Sequence, residues 1–167
     1  ADGETHQGLF DVSMLRMVPG TVIYSPATYR QLEADLAEAV DNCTGICAVR
    51  YPKGAQPALT ASVLGENTDS WFLESQGGDT LLVTYGRLAE ELFLARKSLE
   101  EQGRAVDVLV LNRIYPIPEA ALEQMERYQR IFFYEEGIRS GSIGELCALH
   151  LMEQGYQGQF RLFAIEN

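Results

Sequence analysis

Residues 106–111, Val-Asp-Val-Leu-Val-Leu, form a run too apolar to face water on either side. A strand of that kind is stable only deep in a sheet covered on both faces, which is the habit of parallel α/β sheets. Short apolar runs alternate with segments of helical period along the rest of the chain, the pattern of βα units around a largely parallel sheet. The fold class read from this is α/β, a mostly parallel sheet with flanking helices, and 106–111 is expected in its interior.

Val22-Ile23-Tyr24 reads as a short strand, followed by Ser25-Pro26 as N-cap and first-turn proline of a helix whose inner face is Leu32, Leu36, Ala39 and Val40. Asp41-Asn42 ends that helix, and 45–49 is the next strand. Tyr51-Pro52-Lys53-Gly54-Ala55-Gln56-Pro57 then interrupts regular structure with two prolines and a glycine, which sets a domain boundary between 56 and 57. Two strands and about two helices make no independent sheet domain. Residues 1–56 are therefore expected to be the end of a larger domain, and the chain a fragment.

Beyond the boundary, Trp71-Phe72-Leu73 and 81–85 flank Gln76-Gly77-Gly78-Asp79, a turn suited to a hairpin-like connection and at least one antiparallel pairing. A helix with Leu88, Leu92, Ala95 and Leu99 on one face stops at Gly103. Ile117-Pro118-Glu119 opens another, carrying Leu122 and Met125. Ile131-Phe132-Phe133-Tyr134 is a strand, 142–154 a long helix and 160–165 a final strand.

The 24 acidic against 13 basic side chains give a net charge of −11, which repels nucleic acid and anionic lipid. No stretch approaches the roughly 20 apolar residues of a membrane span, and no signal-like start is visible, so a cytoplasmic location is expected. Cys43, Cys47 and Cys147 match neither a disulfide framework nor a zinc or redox pair, and are expected to be small buried hydrophobes.

Asp2-Gly3-Glu4-Thr5-His6-Gln7-Gly8 places a carboxylate and an imidazole four positions apart around a threonine hydroxyl: acceptor, proton carrier and donor. By composition alone the same residues also make an ordinary turn with a surface histidine. Arg50, at the end of an apolar strand, offers a guanidinium fork for phosphate or carboxylate, and a strand-end salt bridge is the plain alternative. Lys53 either adds a second positive charge or is a solvated turn residue. In 137–144, amides at a helix N-terminus could hold a phosphate, or the segment is a plain βα loop. Glu135-Glu136 is a solvated acidic cluster, a helix-cap contact or a raised-pKa pair. His150 is expected to pack on its helix's apolar stripe, and Tyr85, Tyr115 and Tyr134 to stand at strand ends along a groove between the two parts.

Asp2-Gly3-x-Thr5-His6-Gln7-Gly8 with Phe10-Asp11, the Leu15-Arg16-x-x-Pro19 step, Val49-Arg50-Tyr51-Pro52-Lys53-Gly54, Thr84-Tyr85-Gly86, Asn112-Arg113-Ile114-Tyr115-Pro116 and Tyr134-Glu135-Glu136-Gly137 together resemble the thiamine-diphosphate enzymes of the transketolase superfamily, and within it the 1-deoxy-D-xylulose-5-phosphate synthase family. Around 137–144 the chain departs from the synthase pattern. The resemblance implies the end of a pyrimidine-binding domain over 1–56 and a transketolase C-terminal domain over 57–167. It also implies a transferase that condenses pyruvate with glyceraldehyde 3-phosphate with loss of CO2, for isoprenoid and thiamine precursor synthesis. Thiamine diphosphate and Mg2+ would be its cofactors and a homodimer its assembly. By the same resemblance Asp2 and His6 are catalytic residues at the sugar substrate, and Arg50 binds the substrate phosphate. The main cofactor site would lie outside this chain, which has no Gly-Asp-Gly motif, so the chain alone is expected to be inactive and to bind no cofactor tightly. A transketolase C-terminal half, another 2-keto acid enzyme subunit, and a non-catalytic regulatory or dimerisation module are the alternatives.

Overall fold

The computed structural model describes residues 8–166. Its elements are α1 (Asp11–Leu15), β1 (Val22–Tyr24), α2 (Tyr29–Asp41), β2 (Cys47–Val49), α3 (Ala58–Leu64), β3 (Trp71–Glu74), β4 (Thr80–Tyr85), α4 (Leu88–Glu101), β5 (Asp107–Leu111), β6 (Arg113–Tyr115), α5 (Glu119–Met125), β7 (Arg130–Ile138), α6 (Ile143–Glu153) and β8 (Gln159–Ile165). They build two sheets, a five-stranded one in the order β3-β5-β4-β7-β8 and a three-stranded one in the order β2-β1-β6.

The larger sheet is parallel except at β3. Alternation along β4 and β5 sends Leu81, Val83, Leu109 and Leu111 to one face, where Met125 of α5 and Ile143, Cys147 and Leu151 of α6 cover them. Leu82, Val108 and Val110 point the other way, onto Leu64 of α3 and Ala89, Leu92 and Phe93 of α4. Every residue of β4 and of β5 is buried, as a strand covered on both faces must be. The expected interior place of 106–111 is thus found, with β4 at the very centre.

Three expectations need correction. Trp71–Glu74 and Thr80–Tyr85 do not form a hairpin. β3 pairs antiparallel with β5, Trp71 facing Leu111, and the turn between β3 and β4 is tied down by Asp107 instead. That buried carboxylate accepts from the Ser75 hydroxyl and Gln76 N–H at 2.7 Å each, from Gly78 N–H at 3.3 Å and from the Tyr128 hydroxyl at 2.7 Å. Burial works upward on its pKa, but these four donors outweigh it and hold the group below the ordinary carboxylate range.

The second correction concerns α2. Thr28, not Ser25, caps it, accepting from Gln31 N–H at 3.1 Å. Its inward residues are the polar Gln31 and Asp35, while Leu36 and Val40 face out. Gln31 Oε1 accepts from Ala27 N–H at 2.9 Å, and Asp35 Oδ1 accepts from Asn112 Nδ2 at 2.9 Å. Third, α4 is turned by one position from its expected face. Leu92 is buried, but Ala89 and Phe93 complete the stripe and Ala95 is exposed.

The small sheet includes a strand the sequence reading did not contain. β1 pairs parallel with β2 on one side and antiparallel with β6 on the other, Ile23 opposite Tyr115. The partner that the first part lacks on its own is therefore supplied from beyond residue 110.

Candidate functional site

Strands β1, β2, β4 and β7 all deliver their C-terminal ends to one cleft of about 1490 Å³. The C-terminal edge is where parallel sheets place ligand-binding groups, because the strands stop there and side chains and loops converge. Arg50, Lys53, Tyr85 and Glu135 all line it.

Arg50 follows β2 directly, and its backbone N–H continues the ladder to Tyr24 O at 2.9 Å. Its Nε donates to Asp11 Oδ2 at 2.6 Å and its Nη2 to Gly8 O at 3.1 Å. The guanidinium lies 5.7 Å from the centroid of the Tyr85 ring, within cation–π range. Nε and Nη2 share one edge of the guanidinium plane, so these two bonds occupy that edge. Among the described residues none is bonded to the Nη1 end. Burial alone would lower the Arg50 pKa, but the Asp11 carboxylate and neighbouring groups raise it, and the group is a fixed cation.

Tyr85 is buried beneath the arginine, and its hydroxyl donates to Glu135 Oε2 at 2.9 Å. Glu135 is also buried, and its carboxylate accepts from Gly144 N–H at 3.0 Å and Ile143 N–H at 3.3 Å at the start of α6. Burial raises the Glu135 pKa against the pull of these donors. Burial and the Glu135 charge push the Tyr85 hydroxyl well up. Two further ion pairs stand at the rim, Arg87 with Glu136, and Arg139 with Glu166 at 2.7 Å.

Of the residues singled out in the sequence, Arg50 stands in the cleft as described, and Lys53 lines the same cleft with an exposed side chain. Asp2 and His6 lie outside the described residues. The amides at the start of α6, one reading of which was a phosphate cradle, are taken by the protein's own Glu135. A Cβ on Gly144 would stand 2.9 Å from Glu135 Oε1 and 2.4 Å from Leu162 Cδ1, so a larger residue here would have to displace both side-chain ends. Glu135 and Glu136 thus separate, one a buried helix-cap contact with a raised pKa, the other a surface ion-pair partner. Tyr85 and Tyr134 line the cleft, whereas Tyr115 packs on the core. His150 pairs through Nε2 with Glu126 at 2.9 Å and is not merely packed. Cys147 is buried, but Cys43 and Cys47 are only half-buried.

Tyr85 was expected along the groove and Glu135, in one reading, as a helix-cap contact, but no contact with one another or with Arg50 was expected of Asp11, Tyr85 and Glu135, which carry the geometry around Arg50. Strand parity would have found the last two. Leu81, Val83 and Tyr85 share one face of β4, Ile131, Phe133 and Glu135 share the matching face of β7, and a carboxylate on such a face must have partners. Among the described residues no group of three or more His, Cys, Asp or Glu could hold a metal ion, so no Mg2+ ligands are assigned. No described helix is long and apolar enough to cross a membrane.

Comparison with known proteins gives the family. Residues 70–165 match the model of the transketolase C-terminal domain, and residues 1–57 that of the transketolase pyrimidine-binding domain. Among curated proteins, the 1-deoxy-D-xylulose-5-phosphate synthase of Clostridium botulinum is 30% identical over 168 residues, covering 99% of this chain and 27% of its own length. That of Leifsonia xyli subsp. xyli is 32% identical over 155 residues, covering 92% and 24%. The chain thus spans about a quarter of the length of the curated relatives it matches. A solved structure described as a split-gene transketolase, an inactive β4 tetramer, superposes with a TM-score of 0.80 at 22% identity, over 98% of this chain and 54% of that one. A transketolase mutant from Pichia stipitis gives 0.72 at 18% identity, over 99% and 24%. With the C-terminal domain model alone matching more than half of its residues, this chain belongs to the transketolase family.

Proposed function

We propose that this chain is the C-terminal portion of a thiamine-diphosphate-dependent synthase that condenses pyruvate with glyceraldehyde 3-phosphate to 1-deoxy-D-xylulose 5-phosphate and CO2. In this reading the chain divides at residues 56 and 57. Thiamine diphosphate supplies the bond-breaking chemistry when bound, and its ligands and those of Mg2+ belong to other parts of a longer, cytoplasmic, homodimeric enzyme. The chain's own task is to hold the aldehyde substrate. Arg50 takes the phosphate on its Nη1 end, and Asp2 and His6 act at the sugar hydroxyl and carbonyl oxygens.

The observation that carries this is the state of Arg50: a fixed cation at the C-terminal ends of the parallel strands β1 and β2, braced along one edge by Asp11 and Gly8 and lining the cleft. A braced guanidinium loses little rotational freedom on meeting a phosphate, which favours affinity. The experiment is calorimetric titration of the chain with glycerol 3-phosphate, a non-aldehyde stand-in. Arg50→Ala should weaken binding on the order of tenfold or more, the scale of a charge-assisted hydrogen bond, and Arg50→Lys should recover part of it. Equal affinity in Arg50→Ala, with self-association retained, would favour the non-catalytic dimerisation module instead. Incubated with pyruvate, glyceraldehyde 3-phosphate, thiamine diphosphate and Mg2+, the isolated chain should yield no deoxyxylulose phosphate, and product formation would overturn the expected inactivity.

A further inference from the structure

Tyr85 and Glu135 spend two buried polar groups on one another directly under Arg50. The last paired residues of β4 and β7 are Val83 and Phe133, and two positions further along each strand stand Tyr85 and Glu135, on the same face. Their bond is 2.9 Å long, and both residues are among the buried ones. A tyrosine could satisfy its hydroxyl with water at the cleft edge. A buried carboxylate costs several kcal/mol unless well partnered. Here the partners are the two α6 amides, the Ser142 side chain at the same helix start and the phenol, so Glu135 is held from behind by the helix and in turn holds the ring.

We propose that Glu135, acting through Tyr85, is a positioning residue for the Arg50 guanidinium. A phenol that donates a hydrogen bond to a carboxylate gains electron density, its ring face becomes more negative, and its attraction for a cation above it grows. The guanidinium is then fixed on two sides, by the ring below and by Asp11 and Gly8 along one edge, in a residue that lines the cleft. The groups facing this pair are few. Arg139 and the Cys147 thiol lie near Glu135, while Arg50 and Asp11 lie near Tyr85. The role rests on the phosphate-binding reading of Arg50, but the position of the guanidinium does not.

The test is 15N NMR of the chain, at 18.6 kDa within easy reach, following the Arg50 Nε–H resonance, assigned by its loss in Arg50→Ala, together with titration by sulfate. Sulfate does not change charge across neutral pH. Tyr85→Phe and Glu135→Gln should each move the Arg50 Nε–H resonance before any sulfate is added and weaken sulfate about three- to tenfold. The double variant should be no worse than the more affected single one, because both act along one path. Glu145→Ala serves as a folding control, since it removes the Glu145 contact to Gly141 N–H at the same helix start without touching Tyr85. It should lower Tm and leave the resonance in place. A resonance unmoved by both Tyr85→Phe and Glu135→Gln would overturn the proposal while leaving Arg50 a phosphate ligand. A resonance that responds to both in a chain that binds no sulfate would uphold the positioning and remove the phosphate reading.

Discussion

Asp35 shows at the scale of one residue how the chain spends a charge inside the fold. Only 3% of it is exposed, its Oδ1 meets Asn112, and its Oδ2 and the Asn112 Oδ1 have no partner among the described residues. Burial pushes the carboxyl up to about 6 from an ordinary 3.8, against the contrary effect of the Asn112 bond. The folded state thus favours the neutral form, which can donate. Because the folded pKa lies above the unfolded one, stability from this group is complete below about pH 4 and falls as pH climbs through about 6. The loss is on the order of 3 kcal/mol. Asp35→Asn supplies a donor at every pH, so its Tm should exceed that of the parent by a few degrees at pH 8 and match it near pH 4. Melting curves at the two pH values check this, and an equal offset at both would refute it. At this scale the strand-end place of Arg50 was legible, and so, as the plain alternative, was its salt bridge. Its partners Asp11, Tyr85 and Glu135 were not, since contacts across 39 and 50 positions leave no local trace.

Short helices in this fold are held by their neighbours. α3 has seven residues, and its N-cap is Pro57, which has no side-chain cap bond. Glu90 of α4 replaces the cap from outside, accepting from Thr60 N–H at 2.7 Å, the Thr60 hydroxyl at 2.8 Å and Leu59 N–H at 3.4 Å. Glu90→Ala should therefore cost about 1–2 kcal/mol, the scale of a lost N-cap. Hydrogen exchange should quicken at the amides of Leu59 and Thr60 while β5 amides stay protected, and unchanged exchange at α3 would exclude the role. Elements with a strong apolar period, the strands 106–111 and 131–134 and the helix from Ser142, were readable for what they are. α2 was misread because its buried stripe is Gln31 and Asp35, and hydrophobic period cannot report a helix seated on hydrogen bonds. β3 was misjoined because the turn residues after it suit a hairpin equally well, and its partner was chosen by Asp107 and by β5 packing.

The two parts of the molecule are stitched by backbone as well as side chains. β1 pairs with β6, Ser25 N–H donates to Asn112 O at 2.7 Å, Gly86 N–H to Ser25 O at 3.1 Å, and Ile138 N–H to Leu9 O at 2.9 Å. Parts joined this way should melt together, so calorimetry of the chain should show one transition whose calorimetric and van't Hoff enthalpies agree. Two resolved transitions would mean that the small sheet stands without β6. The class of fold was legible because alternation of strands and helices leaves few architectures. The composition of the small sheet was not, since nothing near residue 113 announces a partner at residue 24. That pairing also fixes an order of events during synthesis. β1 emerges about ninety residues before the strand that closes its other side, and contacts of such separation form late. Until β6 leaves the ribosome one edge of β1 stays bare, whereas the arginine beyond β2 waits only for the ring of Tyr85.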